Sequence, residues 1–131
     1  MIALKIVTPK GNYSSMNVNS IHLKSVEGEM TVLSNHIPIF ASIVPCKLIL
    51  VDEKNEKKEY AMSTGFFEFE NNEAMLLTDA IEGRGEIDIE RAKAAYERAR
   101  RRIEKRDSKT DMQRAELALQ RAIIRMNVYG G

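Results

Sequence analysis

The most restrictive feature of this sequence is a change of periodicity near residue 87. Before that point apolar residues alternate in short runs, whereas from Ile87 to Val128 they recur at intervals of three and four residues. This second stretch contains two segments rich in alanine and arginine and free of glycine and proline, at 87–103 and 111–126. Such segments favour helix. We therefore predict two antiparallel helices joined by a short polar turn.

Polar residues of the right type stand at both predicted helix starts. Asp88 is the predicted N-cap of the first helix, because its short side chain can accept a hydrogen bond from a free amide of the first turn. Thr110 with Gln113, and Ser108 with Asp111, both have the spacing of a capping box. Either pair predicts that the second helix restarts within 106–111.

The residues predicted to form the contact between the two helices are mostly alanine. They are Ala92, Ala95 and Ala99 in the first helix, and Ala115, Leu119, Ala122 and Met126 in the second. Alanine brings helices close but buries one methyl group, against about 1.5 to 3 kcal/mol for a buried leucine. A hairpin held this weakly is a candidate for a moving part, although the pattern alone favours an ordinary docked hairpin.

Residues 1–86 consist of short strand-like runs separated by turn residues. The predicted strands are 2–7, 21–26, 30–33, 39–44, 47–51, 57–63, 66–70 and 73–78. Many short strands at this spacing predict an antiparallel sandwich or barrel, and the connections are too short for parallel crossovers. Residues 79–86 then form the hinge or linker to the helices.

Charge divides the chain at the same place. The 131 residues carry a net charge of +1, but residues 1–86 have a net −4 and residues 87–131 a net +5. An acidic partner should therefore meet the helices. No run approaches the roughly 18 apolar residues of a membrane span, and the start does not resemble a signal peptide. A single cysteine, Cys46, fits a reducing, cytoplasmic setting.

Motifs of catalysis are absent. The sequence has no phosphate-binding loop and no nucleophile elbow. His22, His36 and Cys46 are its only imidazole and thiol groups, and their spacing does not match a zinc site. We predict no metal site, no enzymatic activity of the chain alone, and a structural hydrogen-bonding role for His36.

Basic residues cluster at the end of the first predicted helix: Arg98, Arg100, Arg101, Arg102, Lys105 and Arg106. A solvated face is the simplest interpretation of such a cluster, and an acidic protein surface, nucleic acid or a phosphate are the functional ones. Nucleic acid is disfavoured because aromatic residues are scarce here and no recognition motif is present.

A second arginine group should form where the two helix ends meet. Arg91 begins the first helix, Arg121 and Arg125 end the second, and an antiparallel hairpin brings these ends together near Asp88 and Glu82. Converging guanidinium groups suit a polyphosphate. Salt bridges within the hairpin explain the same residues equally well.

Five short motifs, in this order and at these separations, carry a resemblance to a known family. They are Glu27-Gly28-Glu29, Leu33-Ser34-Asn35-His36-Ile37-Pro38, Gly65-Phe66-Phe67-Glu68, Leu77-Thr78-Asp79-Ala80-Ile81-Glu82 and Glu86-Ile87-Asp88-Ile89-Glu90-Arg91-Ala92. With them the chain resembles, almost end to end, the epsilon subunits of bacterial F-type ATP synthases.

The resemblance implies an α+β fold, with an antiparallel β-sandwich at 1–86 followed by a two-helix antiparallel hairpin at 87–131. It implies a non-catalytic central-stalk subunit of a proton-translocating enzyme, peripheral to the cytoplasmic face of the cell membrane. The sandwich is expected to bind the gamma subunit and the c-ring. The hairpin is expected to move and, when extended, to inhibit ATP hydrolysis at the alpha and beta subunits.

The resemblance also implies roles for particular residues. Some bacterial members bind ATP in the folded state through an Ile/Leu-Asp-x-x-Arg-Ala motif and distal arginines. The residues expected at this regulatory site are Glu82, Ile87, Asp88, Arg91, Ala92, Arg121 and Arg125. The inhibitory contacts are expected from Arg98, Arg100, Arg101, Arg102, Lys105 and Arg106, and the subunit interface from Glu27, Gly28, Glu29, His36 and Pro38. A purely structural coupling subunit that binds no nucleotide is the alternative, and an RNA-binding adaptor is a more distant one.

Overall fold

The computed structural model describes residues 1–105 and 111–130. Its strands are β1 (Ile2–Thr8), β2 (Gly11–Ser25), β3 (Gly28–Leu33), β4 (Ile39–Ile43), β5 (Cys46–Asp52), β6 (Lys57–Met62), β7 (Gly65–Glu70), β8 (Glu73–Thr78) and β9 (Ile81–Gly83). A 3₁₀ helix (Arg84–Glu86) follows, and then α1 (Ile89–Lys105) and α2 (Met112–Gly130). The predicted fold, a β-sandwich followed by a helical hairpin, is confirmed.

The long strand β2 joins the two layers of the sandwich. Its first half pairs with β1, and its second half pairs with β3 and β5. One layer is therefore β4, β7, β8, β1 and the start of β2, and the other is β3, the end of β2, β5, β6 and β9. Sequence analysis missed the first half of β2 because residues 14–20 are mostly serine and asparagine and contain only two apolar residues, Met16 and Val18.

Alternating apolar residues fill the space between the layers. Ile2, Leu4 and Ile6 of β1 are all buried, as are Phe67 and Phe69 of β7. This is the period-two pattern on which the strand predictions rest. One pairing departs from the antiparallel expectation, because β1 and β8 run parallel. Six strands lie between them in the chain, so this pair requires no short crossover.

The predicted hinge or linker at 79–86 has regular structure over most of its length. Residues 81–83 form β9, which pairs with β6 and places Ile81 against the sandwich core. The 3₁₀ helix follows directly, and we call residues 84–86 the linker. Glycines at 83 and 85 made this stretch look like a free linker, but three residues with one buried isoleucine are enough to extend the sheet.

Both helices begin at an aspartate. The Oδ1 atom of Asp88 accepts a hydrogen bond from the Arg91 amide at 3.2 Å, which confirms the predicted N-cap. Asp111 caps α2 in the same way, through the Arg114 amide at 3.1 Å. The predicted capping boxes depend on Ser108 and Thr110, which lie outside the described residues. α2 continues to Gly130, past the predicted end at 126.

The hairpin is held together by alanine and held to the sandwich by a small apolar cluster. Ala92 and Ala99 of α1 and Ala115 and Ala122 of α2 are buried where the helices meet. α2 also packs against β5 and β6. We call the second contact the docking seat, and it consists of Ala61, Ile87 and Val128, with Ile124 at its edge. None of the described helices is long and apolar enough to cross a membrane.

Enlarging a buried alanine should separate the helices without harming the sandwich. Ala99 is almost fully buried, so we expect Ala99→Leu to cost about 1 to 3 kcal/mol of hairpin stability through overpacking. Peptide-resolved hydrogen exchange should show faster exchange in α1 and α2 and unchanged exchange in β1, β7 and β8. Faster exchange in the strands as well would contradict a hairpin that loosens separately.

Candidate functional site

A polar pocket lies where the start of α1, the end of α2 and β9 meet. Its volume is about 320 Å³. The residues lining it are Glu82, Asp88, Arg91, Ala92, Ala95, Arg98 and Arg125. Five of the seven residues predicted for a nucleotide site therefore lie around one cavity.

The start of α1 builds one wall of this pocket. Asp88 is the N-cap, so the next turn places Arg91 at the third helical position and the buried Ala92 at the fourth. Ile87 precedes the cap and is buried in the docking seat. Apolar residues immediately before a cap and at the fourth position are those of a hydrophobic staple, which fixes the chain direction into a helix. The Ile-Asp-x-x-Arg-Ala motif is thus also a complete helix start.

An ion pair joins the opposite wall to the sandwich. Nε of Arg125, in α2, lies 2.5 Å from Oε1 of Glu82, in β9, and both side chains are about 30% exposed. A charge-assisted hydrogen bond of this length in a half-buried setting is among the stronger polar contacts in proteins. It links the hairpin to the sandwich directly beside the pocket.

Two predicted site residues lie outside the pocket itself. Arg121 lines a small adjoining cleft together with Arg125, Ala61, Met62 and Ser63. Ile87 is covered by the docking seat. One residue that was predicted elsewhere lies inside: Arg98, which was grouped with the inhibitory residues, lines the pocket two turns after Arg91. Its seven-residue separation from Arg91 places both on one face of α1, and that spacing was available in the sequence.

The other predicted inhibitory residues lie on the surface at the far end of α1. Arg100, Arg101, Arg102 and Lys105 are all exposed, and Arg106 lies outside the described residues. Arg100 pairs with Glu104 one turn later, at 3.1 Å. An exposed pair of this kind contributes little to stability. Arg98 is exposed as well, but it also lines the pocket, which these residues do not.

The predicted subunit-interface residues do not come together. Glu27 lies in the turn between β2 and β3, and Gly28 and Glu29 are the first residues of β3, where Gly28 adopts a φ of 131°. His36 and Pro38 lie beyond the other end of β3, in the loop that leads to β4. Nδ1 of His36 is 2.8 Å from the Ile37 carbonyl oxygen, and its ring meets the edge of Phe69. Any shared role must therefore span the length of a strand.

A hydrogen-bonded cluster joins the 3₁₀ helix to the sandwich. The Glu86 carboxylate accepts hydrogen bonds from the Tyr13 hydroxyl and from the Gly83 amide, the latter at 2.9 Å. Burial, followed by the hydrogen bond to Glu86, raises the pKa of Tyr13 well above its ordinary value. Tyr13 therefore keeps its proton and remains a donor. Within residues 1–105 and 111–130 there is no group of three or more His, Cys, Asp or Glu suited to a metal ion.

Family sequence models match nearly all of the chain. Residues 1–84 match the model described as "ATP synthase, Delta/Epsilon chain, beta-sandwich domain", and residues 86–130 match "ATP synthase, Delta/Epsilon chain, long alpha-helix domain". The chain belongs to the ATP synthase delta/epsilon family. Its bacterial relatives identify it further as an epsilon subunit, a non-catalytic accessory subunit of the F-type ATP synthase.

These epsilon relatives are similar over their full lengths. The ATP synthase epsilon chain of Clostridium novyi is 38% identical over 125 residues, which is 95% of both chains. That of Bacillus velezensis is 35% identical over 131 residues, covering 98% of this chain and 97% of the relative. The expectation drawn from the five motifs is confirmed.

Two solved ATP synthase structures contain chains of similar fold. A chain of the Euglena gracilis mitochondrial ATP synthase, from a structure of its OSCP/F1/c-ring, superposes with a TM-score of 0.83 at 25% identity, covering 99% of this chain and 81% of that chain. A chain of the Tetrahymena thermophila mitochondrial ATP synthase central stalk/c-ring gives 0.63 at 10% identity, over 98% and 96%, and shares the fold.

Replacing the two capping aspartates one at a time measures how much Asp88 contributes to stability as a helix cap. Asp88 and Asp111 make the same capping contacts, but only Asp88 lines the pocket. We expect Asp88→Ala and Asp111→Ala each to cost about 1 kcal/mol of helix stability. Urea unfolding followed by helical circular dichroism measures this cost. A much larger cost at Asp88 would mean that it holds more than one helix end.

Proposed function

We propose that this chain is a central-stalk subunit of a proton-translocating F-type ATP synthase whose hairpin responds to ATP. In the docked position seen here, the hairpin binds ATP and leaves the enzyme free. When ATP falls, the hairpin undocks, extends toward the alpha and beta subunits and inhibits hydrolysis. The observation that carries the ATP-binding part is the pocket between α1, α2 and β9.

The pocket has the charge and size for a nucleotide. Three guanidinium groups, from Arg91, Arg98 and Arg125, face two carboxylates, from Glu82 and Asp88. One carboxylate is already paired with Arg125 and the other caps α1. Arg91 and Arg98 are therefore available for a phosphate chain, beside a helix N-terminus that also favours anions. The volume of about 320 Å³ lies at the lower end of small-molecule sites.

A ligand in this pocket would stabilise the docked hairpin by linkage. Glu82 belongs to the sandwich and the three arginines to the hairpin, so the complete pocket exists only while the two parts are in contact. A ligand that binds one state stabilises it by about 2.7 kcal/mol when its concentration is a hundred times its dissociation constant. The docking seat buries few large side chains, so a shift of this size is enough to move the equilibrium.

In the extended position, the exposed basic residues of α1 would contact the alpha and beta subunits. Arg100, Arg101, Arg102 and Lys105 point their charges to solvent at the end of α1. Arg106 and Arg98 belong to the same predicted group. After undocking, Arg98 would leave the pocket and join the others on the helix, so that one residue contributes to both states. Acidic surfaces of the alpha and beta subunits are the expected partners.

The proposed contact with the gamma subunit rests on an outer patch of the sandwich, defined by Phe40, Phe66, Met75 and Leu77. All four are exposed, Phe40 by 74%. Phe40 and Phe66 stack with ring centroids 6.1 Å apart, and Phe66 lies opposite Leu77 across β7 and β8. Contiguous exposed aromatic and aliphatic side chains mark a protein-binding surface. Glu27, Gly28, Glu29, His36 and Pro38 remain the loop residues predicted for subunit contacts, including the c-ring, through which the chain would lie at the cytoplasmic membrane face.

A structural subunit that binds no nucleotide is the second candidate. The Glu82–Arg125 pair favours it, because it neutralises one arginine of the pocket without any ligand. The Asp88 cap likewise has a sufficient structural reason. Under this alternative the hairpin answers only to its neighbouring subunits.

Replacing an arginine of the pocket tests the nucleotide role directly. We expect Arg91→Ala to weaken ATP binding by about tenfold or more, the loss associated with a hydrogen bond to a charged group. Isothermal titration calorimetry of the isolated chain measures the affinity, and small-angle scattering measures compaction on binding. Arg98→Ala should weaken binding as well, which the original grouping of Arg98 with the inhibitory residues did not predict.

Matched controls separate binding from folding. Arg114→Ala removes an exposed arginine from the other end of α2, and Asp111→Ala removes a helix cap that lies outside the pocket. Both should leave ATP affinity unchanged. Absence of ATP binding by the unmodified chain at millimolar concentration would leave the structural alternative in place.

Polar substitution in the outer patch tests the gamma contact. Phe40 is mostly exposed, so Phe40→Ser should leave the unfolding free energy within about 0.5 kcal/mol of the unmodified value. We expect the same change to weaken binding to purified gamma subunit by tenfold or more. Thr31→Ala, on exposed β3, is the control. Unchanged gamma affinity in Phe40→Ser would place the interface elsewhere on the sandwich.

A further inference from the structure

The last turn of α2 is held by an arginine from outside the helix. Nε of Arg84, in the 3₁₀ helix, donates a hydrogen bond to the Val128 carbonyl oxygen at 3.1 Å. The last four carbonyl groups of an α-helix have no partner within the helix, and a cation near them is stabilised by the helix dipole. Within the described helix, α2 has no basic residue in its own last turn. Arg84 supplies this charge from the linker.

The residue that makes this contact is fixed to the sandwich. β9 ends at Gly83 and pairs with β6, with Gly83 opposite Tyr60. On the other side of Arg84, Glu86 accepts hydrogen bonds from the Tyr13 hydroxyl and the Gly83 amide. The Tyr13 ring in turn meets the edge of Tyr60 at 6.4 Å. Arg84 is therefore bracketed by two attachments and moves with the strands.

The position of the hinge follows from these attachments. Glu86 is the last residue tied to the strands by its side chain, and Asp88 is the first residue that belongs to α1. Ile87, between them, packs in the docking seat that undocking would open, and its amide donates a hydrogen bond to the Arg84 carbonyl oxygen at 3.4 Å. A hinge at 87–88 lets both helices leave together while the linker stays in place.

We propose that Arg84 is a clamp that holds the hairpin docked without nucleotide, and that the hinge of the hairpin is Ile87–Asp88. This inference rests on the proposed mobility of the hairpin. It assigns a separate role to a residue that does not line the pocket. The Arg84 side chain donates to a backbone carbonyl, so the contact depends on α2 reaching Val128 in helical form. The Val128 side chain affects it only by positioning the helix in the docking seat.

The clamp and the proposed nucleotide then stabilise the docked state at separate places. The Arg84 clamp acts at the end of α2 in the presence or absence of ligand, and ATP adds its contribution through Arg91 and Arg98 one helix away. The apparent dissociation constant for ATP equals the intrinsic constant divided by the docked fraction. A weaker clamp should therefore lower apparent affinity only as far as it lowers that fraction.

Distance measurement in the full chain tests the clamp. Spin labels at Asn55→Cys, in the β5–β6 turn, and Asn127→Cys, on α2, report docking by pulsed electron resonance when Cys46 is replaced by serine. Without ATP, we expect Arg84→Ala to lower the ratio of docked to undocked hairpin by about three- to tenfold, the effect of losing an ordinary hydrogen bond, because Arg84 is exposed and water screens its charge. Arg84→Lys should retain part of the docking, and Arg114→Ala all of it.

Tyr13→Phe supplies a second, independent variant. It leaves Arg84 in place but removes one attachment of the linker, so it should lower docking by a smaller factor than Arg84→Ala. Circular dichroism checks that each variant remains folded. An unchanged distance distribution in both Arg84→Ala and Tyr13→Phe would overturn the clamp.

Parallel ATP titrations keep the two proposals distinct. If Arg84→Ala undocks the hairpin and the unmodified chain binds no ATP, the clamp stands and the nucleotide role fails. If the chain binds ATP but Arg84→Ala leaves docking unchanged without ATP, the reverse holds. A distance change between labels at Asn55→Cys and Gly85→Cys upon undocking would contradict a hinge at 87–88, because Gly85 lies on the strand side of that hinge.

Discussion

The arrangement of the C-terminal half depends on the burial of Val128 against Ala61 and Ile87. This seat is where α2 meets the sandwich, and Val128 is completely buried in it. Its position fixes the register of α2 along β5 and β6, which in turn places Arg125 beside Glu82. The same register presents the Val128 carbonyl to Arg84. Displacement of this one side chain would remove the ion pair, the clamp contact and one wall of the pocket together.

The Ile-Asp-x-x-Arg-Ala motif combines two uses of the same few residues. Asp88 caps the helix and lines the pocket, while Ile87 and Ala92 are buried on either side of the cap. The helix start must be rigid for Arg91 to stand at a defined place on the pocket wall. Preorganisation of this kind reduces the cost of ordering a side chain when a ligand binds. A matched motif therefore carries structural information whether or not a nucleotide is bound.

Much of the fold could be predicted because local pattern and tertiary structure agree there. Alternation located β1, β7 and β8, and the absence of glycine and proline located both helices. The convergence of Glu82, Arg91 and Arg125 followed from topology, since an antiparallel hairpin brings its ends together. The strand at residues 81–83 could not be predicted, because β9 exists only through pairing with β6. The sequence does not distinguish Arg84 from other arginines in loops, because its role depends on its distance to Val128. The start of β2 is polar although it pairs with β1.

The small residues of the hairpin are compatible with the proposed movement of both helices as one body. Ala92, Ala99, Ala115 and Ala122 bring α1 and α2 close together, and this contact does not involve the residues of the seat. The seat, by contrast, contains one alanine, one isoleucine and one valine. Burial of the two larger side chains is worth about 1.5 to 3 kcal/mol each before any ordering cost. An interface of this strength lies within the range that one ligand or one charged hydrogen bond can tip, whereas a leucine-rich seat would hold the hairpin in a single position.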